Sequence, residues 1–258
     1  MKALMDLSGR REEIEEALKR EHFHSHDDHH EHDHDDHHRG HDYHRSHGRS
    51  WLKVRELINH SSFSDEAKKT ALNIYQNIAE AEASVHGETL ETIHFHEVGR
   101  DEAIKNALGI GMALENIKTR NWSWRKMDER SNHGSDAGEQ LEILTSPIYD
   151  GKGTVVCSHG EIPVPVPAVM ALRAKCTYVF ETADVNMEMV TPSGLASLIG
   201  IKAEPAIKTL QQILEGPRVS IIAETEAKGS RDTGRDGLRV YLLEGDASDN
   251  ILLDRRNR

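Results

Sequence analysis

Apolar side chains recur along this chain at two periods, and the change of period marks its elements. From Ser64 to His86 the residues Ala67, Ala71, Ile74, Tyr75, Ile78 and Val85 stand at helical spacing, with a serine cap in front and Gly87 behind. The spacing predicts a helix over 64–86. Thr92 to Val98 is short, rich in β-branched and aromatic residues and closed by Gly99, which predicts a strand. Ile104, Leu108, Met112 and Glu115 then share one face, with Gly111 close by, and predict a second helix over 101–117. Helix, strand, helix points to an α/β (or α+β) layered fold.

The pattern is thinner on either side. Glu12 to Arg20 carries Ile14, Ala17 and Leu18 on one stripe, a helix too short to stand without packing on something else. Between Lys118 and Glu142 the texture turns polar around Trp122 and Trp124, which predicts an inserted loop. A strand is expected from Leu141, then a glycine turn over 150–153 and a strand over 154–158. Pro163, Pro165 and Pro167 rule out a central strand after it. A short helix over 168–174 follows, and Thr191 with Pro192 reads as the cap and first turn of another, running to Ile201. Val219 to Ala223 and Leu238 to Leu243 are expected strands, and no internal repeat is visible.

Residues 22–47 obey neither period. They hold 12 of the 18 histidines with seven carboxylates and two arginines, and their only sizeable apolar groups are Phe23 and Tyr43. Such a segment cannot bury enough surface to offset its chain entropy, so a disordered linker is expected. The chain therefore divides into a short N-terminal helix within 1–21, the tract over 22–50, an α/β domain over 51–245 and a loose tail over 246–258. Two cysteines, Cys157 and Cys176, cannot build a disulfide framework or a four-cysteine zinc site. The longest apolar run, Ala107 to Leu114, falls far short of the roughly 18 residues of a membrane helix, and no signal-peptide order is present. A formal charge of -12 disfavours phosphate backbones as partners. A cytoplasmic protein binding neither membrane nor nucleic acid is expected.

Neutral imidazole is a good ligand for nickel, copper and zinc, so His22, His24, His26, His29, His30, His32, His34, His37 and His38 form a candidate metal tract. Interspersed aspartates and an internal position argue against an expression tag, although a solvated linker is the bland alternative. Without fixed geometry the tract suits capture or storage rather than catalysis. Fixed geometry is expected elsewhere. On a strand, His94 and His96 would share one face about 7 Å apart and could share one ion. Glu97 would face the other way unless a bulge at Gly99 re-aims it, and Glu102 opens the next helix beside Asp101. Two hydrogen-bonded structural histidines explain the pair equally well. Cys157 and His159 repeat the spacing, and thiolate with imidazole suits a borderline-soft ion; a buried cysteine beside a turn histidine is the simpler reading. The turn Gly151, Lys152, Gly153 and the helix start holding Thr191, Ser193 and Gly194 could cradle an anion on unpaired N–H groups, but taken alone they read as an ordinary turn and cap.

Taken together, HFHEVG at 94–99, GTVVCSHGEIPVPVPA at 153–168 and MVTPSG at 189–194, in that order after a histidine-rich tract, resemble the LarC nickel-insertion family over roughly Trp51 to Glu244. The resemblance implies insertion of nickel into a pyridinium bisthiocarboxylic acid mononucleotide, giving the nickel-pincer cofactor of lactate racemase and related enzymes. It implies His94 and His96 as transfer ligands, Glu97 or Glu102 as acceptor of the ring proton, and Cys157 with His159 as a second ligand pair. The substrate phosphate would suit Gly151–Gly153 or the helix from Thr191. Cytidine triphosphate with manganese or magnesium is implied as well. Departures from the family are plain. Its opening DPFSGISGDM segment has no counterpart before MKALMDLSG, Glu102 and Asn106 stand where it commonly has two aspartates, and the C-terminal domain linked to nucleotide use and oligomerisation is expected to be absent. Two alternatives stay open: a nickel-storage or metallochaperone protein, and an inactive fragment that needs a partner chain.

Overall fold

The first helix is broken by the glycine that follows it. In a computed structural model of the chain, α1 (Lys2–Ser8) stops at Gly9, whose φ of 63° lies in the left-handed region, and α2 (Arg11–Arg20) restarts at a new angle. The structure describes residues 1–23, 48–95, 98–127, 141–157, 160–206, 208–215, 219–229 and 237–245, and only the backbone over 120–127. The expected disordered tract and the loose tail fall outside them, apart from residues 22, 23 and 48–50.

A two-residue strand, β1 (Arg49–Ser50), leads into α3 (Trp51–His60), which the sequence reading passed over; the Ser50 side chain accepts from the Lys53 N–H at 3.2 Å. Helix α4 (Asp65–His86) is bounded by Ser64 and Gly87, as expected. Strand β2 covers only His94–Phe95 and pairs antiparallel with β1. Helix α5 runs Asp101–Met127, ten residues beyond the expected end. The inserted loop read around Trp122 and Trp124 is therefore helical up to Met127, because polar residues at the end of a helix whose buried face is already anchored extend it at little cost.

The remaining elements are short. Strands β3 (Leu144–Thr145) and β4 (Ile148–Asp150) precede the hairpin β5 (Thr154–Cys157) and β6 (Gly160–Pro163). Then follow α6 (Pro167–Arg173), β7 (Phe180–Thr182), α7 (Pro192–Gly200), β8 (Glu204–Pro205) and α8 (Leu210–Leu214). The antiparallel ribbon β9 (Val219–Ala227) and β10 (Leu238–Gly245) completes the order. Among the described residues the strands form five two-stranded pairs: β3 with β8 and β4 with β7 are parallel, the others antiparallel. The fold is mixed α/β, and its core is helical. Ile74, Tyr75 and Ile78 of α4 bury against Ile104 and Leu108 of α5, Val169 and Leu172 of α6 and Leu195 of α7.

Helices α4 and α5 approach closely because Gly111 faces Ala67. A Cβ there would stand 2.6 Å from the Ala67 carbonyl oxygen and 2.7 Å from its Cα. Helix propensity favours alanine over glycine by about 1 kcal/mol. Backbone atoms cannot step aside, however, so Gly111→Ala is expected to cost about 2 kcal/mol net and lower the melting temperature by about 5 °C. A thermal midpoint at or above that of the parent would show that the two helices do not touch at this point.

Candidate functional site

Pairing with β1 turns Phe95 inward and its neighbour outward. Phe95 is 1% exposed, with edge-on contacts to Trp51 at 6.5 Å and Tyr75 at 5.8 Å between ring centroids, while His94 is exposed. His94 Nδ1 lies 2.7 Å from the Thr92 carbonyl oxygen. A carbonyl can only accept, so Nδ1 carries the hydrogen and, in the neutral ring, the Nε2 lone pair is left for a metal.

Among the described residues the strand covers His94 and Phe95, and Val98 already lies in a turn. Thr92 lies in a turn, with its N–H donating to the Thr89 carbonyl at 3.2 Å, so regular pairing spans His94 and Phe95 rather than the expected 92–98. By Gly99 the backbone has come back against its own start: a Cβ on Gly99 would lie 2.8 Å from the Phe95 carbonyl oxygen and 3.2 Å from the Arg49 nitrogen. Only glycine fits there. Tyr75 donates its hydroxyl to the Val98 carbonyl at 2.7 Å, and burial pushes its phenol upward, so it stays a donor at neutral pH. Arg49 donates to the Gly99 carbonyl at 3.0 Å and pairs with the Asp101 carboxylate. His96 and Glu97 lie outside the described residues, so the 7 Å spacing expected of the two histidines rests on strand alternation alone. Glu102, on the first turn of α5, is exposed.

Both ends of the histidine-rich tract meet the start of α5. Before it, His22 is exposed and Phe23 is buried, with the Lys105 ammonium 6.0 Å from its ring. After it, Arg49 binds Asp101, one helical turn from Lys105. His24, His26, His29, His30, His32, His34, His37 and His38 lie outside the described residues.

Cys157 ends β5 opposite Gly160, half-buried and not in a disulfide; His159 lies outside the described residues. Gly151 is buried under residues 185–187, and the Lys152 N–H is donated to the Val185 carbonyl at 2.9 Å. The Lys152 ammonium pairs with Asp184 and holds that carboxyl below its usual range, while Gly153 takes φ 88°. Thr191 caps α7 as expected: its hydroxyl oxygen accepts from the Gly194 N–H at 3.1 Å and lies 3.2 Å from the Ser193 hydroxyl. Pro192 has no N–H, which leaves Ser193 as the donor of that turn with no partner among the described residues. Among the described residues no group of three or more His, Cys, Asp or Glu side chains is arranged to hold a metal ion. None of the described helices is long and apolar enough to cross a membrane.

Several residues of the site escaped the sequence reading. Arg49, Trp51 and Tyr75 reach the HFHEVG segment from β1, α3 and α4. No local pattern joins them, although an arginine and a tryptophan placed directly after a charged tract were a usable signal. The pair of Asp150, 3% exposed, and Arg173, at 2.5 Å, was equally invisible; the guanidinium also sits 4.1 Å from the Phe180 ring centroid. Burial pushes the Asp150 carboxyl up, and Arg173 opposes this.

Residues 1–250 match the family described as "Nickel insertion protein". The chain is 32% identical over 218 residues to the pyridinium-3,5-bisthiocarboxylic acid mononucleotide nickel insertion protein of Acetivibrio thermocellus, covering 83% of this chain and 45% of that one. It is 36% identical over 162 residues to the protein of the same description from Akkermansia muciniphila, covering 63% and 34%. For the protein of that description from Alkaliphilus metalliredigens the identity is 30% over 207 residues, covering 80% and 41%. The chain thus spans less than half the length of these relatives. No solved structure matches it.

Proposed function

Because the chain belongs to the nickel insertion protein family, we propose that it gathers nickel on its histidine-rich tract and passes it, through the segment from His94 to Gly99, to pyridinium-3,5-bisthiocarboxylic acid mononucleotide. The acceptor is the molecule for which its relatives are described. The observation that carries this reading is the exposed His94, on the strand paired with the tract's end, whose Nδ1–H is tied to the Thr92 carbonyl.

The chemistry follows from what must form and break. Nickel exchanges water and imidazole for two substrate thiocarboxylate sulfurs, and a nickel–carbon bond replaces a ring C–H, releasing one proton. His94 Nε2, with His96, holds the ion as its other ligands leave; Glu97 or Glu102 accepts the proton. Cys157 with His159 is a second ligand pair, and thiolate suits an ion on its way to sulfur. For the phosphate, the turn holding Ser193 is preferred to Gly151–Gly153, where the Lys152 N–H and ammonium already have protein partners. This makes the activity a chelatase of the lyase type, in the cytoplasm, with neither nucleic acid nor membrane as partner. Manganese or magnesium accompanying cytidine triphosphate would have to be held by its phosphates and at most two protein ligands at a time, since no group of three is present among the described residues.

Mixing the protein with nickel and the metal-free mononucleotide, then assaying activation of apo lactate racemase, tests the proposal. Activation by this chain alone supports insertion. Activation only after addition of the remaining half of a relative assigns the chain a partial role, and none in either case leaves storage. Deleting residues 24–47, which spares the buried Phe23, should lower the nickel bound per chain while leaving insertion at saturating nickel within about twofold, because a reservoir affects supply rather than the transfer step. Abolished insertion would rule out a reservoir.

A further inference from the structure

We infer that Arg49 is a positioning residue for metal transfer, locking the end of the tract to both sides of the His94 segment, an inference that rests on the assignment of His94 to Gly99 as the transfer segment. Arg49 holds this segment at two places. Its backbone pairs with Phe95 on the entering side. Its guanidinium donates to the Gly99 carbonyl at 3.0 Å and to the Asp101 carboxylate on the leaving side. The side chain is only 21% exposed, so these bonds are largely shielded from water. Asp101 opens α5, where the helix dipole favours a carboxylate, and so carries the arginine's anchor onto a rigid element.

One residue thus links three things: its backbone joins the end of the tract to the strand bearing His94, and its side chain joins both to the helix bearing Glu102. Metal–ligand distances tolerate about 0.2 Å, so donors that exchange an ion must be held to a fraction of an ångström. Both bonds leave from Nη1, whose two hydrogens are fixed in the guanidinium plane and so aim at the carbonyl and the carboxylate at once, whereas a lysine ammonium gives a point charge on a flexible stem. Packing of Phe95 on Trp51 and Tyr75 does not depend on it, which separates positioning from core stability.

The test uses the full chain loaded with nickel and pyridine-2,6-dithiocarboxylate as acceptor, with transfer followed by the absorbance of the nickel complex. Arg49→Gln should leave the nickel bound per chain unchanged and slow the limiting transfer rate about tenfold at an unaltered half-saturating acceptor concentration; Arg49→Lys should recover part of the loss. A merely structural role would lower melting temperature and bound nickel together, without recovery by lysine. If Arg49→Gln transfers within about twofold of the parent while His94→Ala is slow, the positioning role is overturned and the transfer segment stands. If His94→Ala also transfers at the parental rate, the transfer segment itself is refuted. Should Arg49→Gln fail to fold, Asp101→Asn, which spares the Gly99 bond, should slow transfer about threefold; an unchanged rate overturns the inference.

Discussion

Replacing His94 and His96 together by alanine is expected to slow nickel delivery to the mononucleotide about a hundredfold or more, while uptake of nickel by the protein barely changes. The two effects separate because the tract keeps 12 histidines between His22 and His47 and needs no fixed geometry to bind. Delivery differs: the ion must leave one donor as the next arrives, so the receiving donor has to be held in place. His94 is held by Phe95 in the core and by its own Nδ1–H on the Thr92 carbonyl, so its free nitrogen is presented at one spot. Equilibrium dialysis against nickel reads the uptake and racemase activation reads the delivery. Normal activation by the double variant would remove this segment from the pathway.

Arg173→Met is expected to be the most destabilising single change away from that segment, costing about 3 kcal/mol at neutral pH. The figure sits at the low end for a broken buried pair because the Arg173 side chain is 31% exposed. Asp150, 4% exposed at its side chain, would be left charged and unpaired, and the guanidinium stacked on Phe180 would be lost too. The pH dependence has a definite sign. Burial already raises the Asp150 carboxyl above its ordinary value, and removing Arg173 takes away the group that opposes the rise. A carboxyl raised in the folded state favours folding when protonated, so that stability is present at low pH and lost as pH climbs through the raised value. The gap between parent and variant should therefore shrink as pH falls from neutral to about 4.5. Urea unfolding of both proteins at the two pH values measures it. An equal gap at both would mean that Asp150 is not the group left unpaired.

Local signals found the long elements because those signals are local in cause. Ser64 and Gly87 bounded α4, and Thr191 with Pro192 opened α7, since caps act within one turn. Patterning failed where contacts beyond the segment decide. Thr92 to Val98 has strand composition, yet Thr92 and Val98 lie in turns, and a close return at Gly99 sets the backbone against Phe95 and Arg49. Trp122 and Trp124 looked like loop residues, but α5 was already nucleated against α4 and ran on to Met127. Of the candidate site, His94 was proposed from its motif, whereas Arg49 and Tyr75, contributed by other elements, were not readable.

From residue order alone came the mixed α/β class, the histidine-rich composition of the tract and the likeness to nickel insertion proteins, because composition, short-range periodicity and contiguous motifs are properties of neighbours along the chain. Tertiary structure decided that His94 faces solvent with one nitrogen committed, that both ends of the tract converge on the first turns of α5, and that Asp150 is buried with Arg173. The bond from His94 to Thr92 is local, but its exposure, the convergence on α5 and the buried pair depend on groups more than twenty residues apart coming together, which only the packing of the helices brings about.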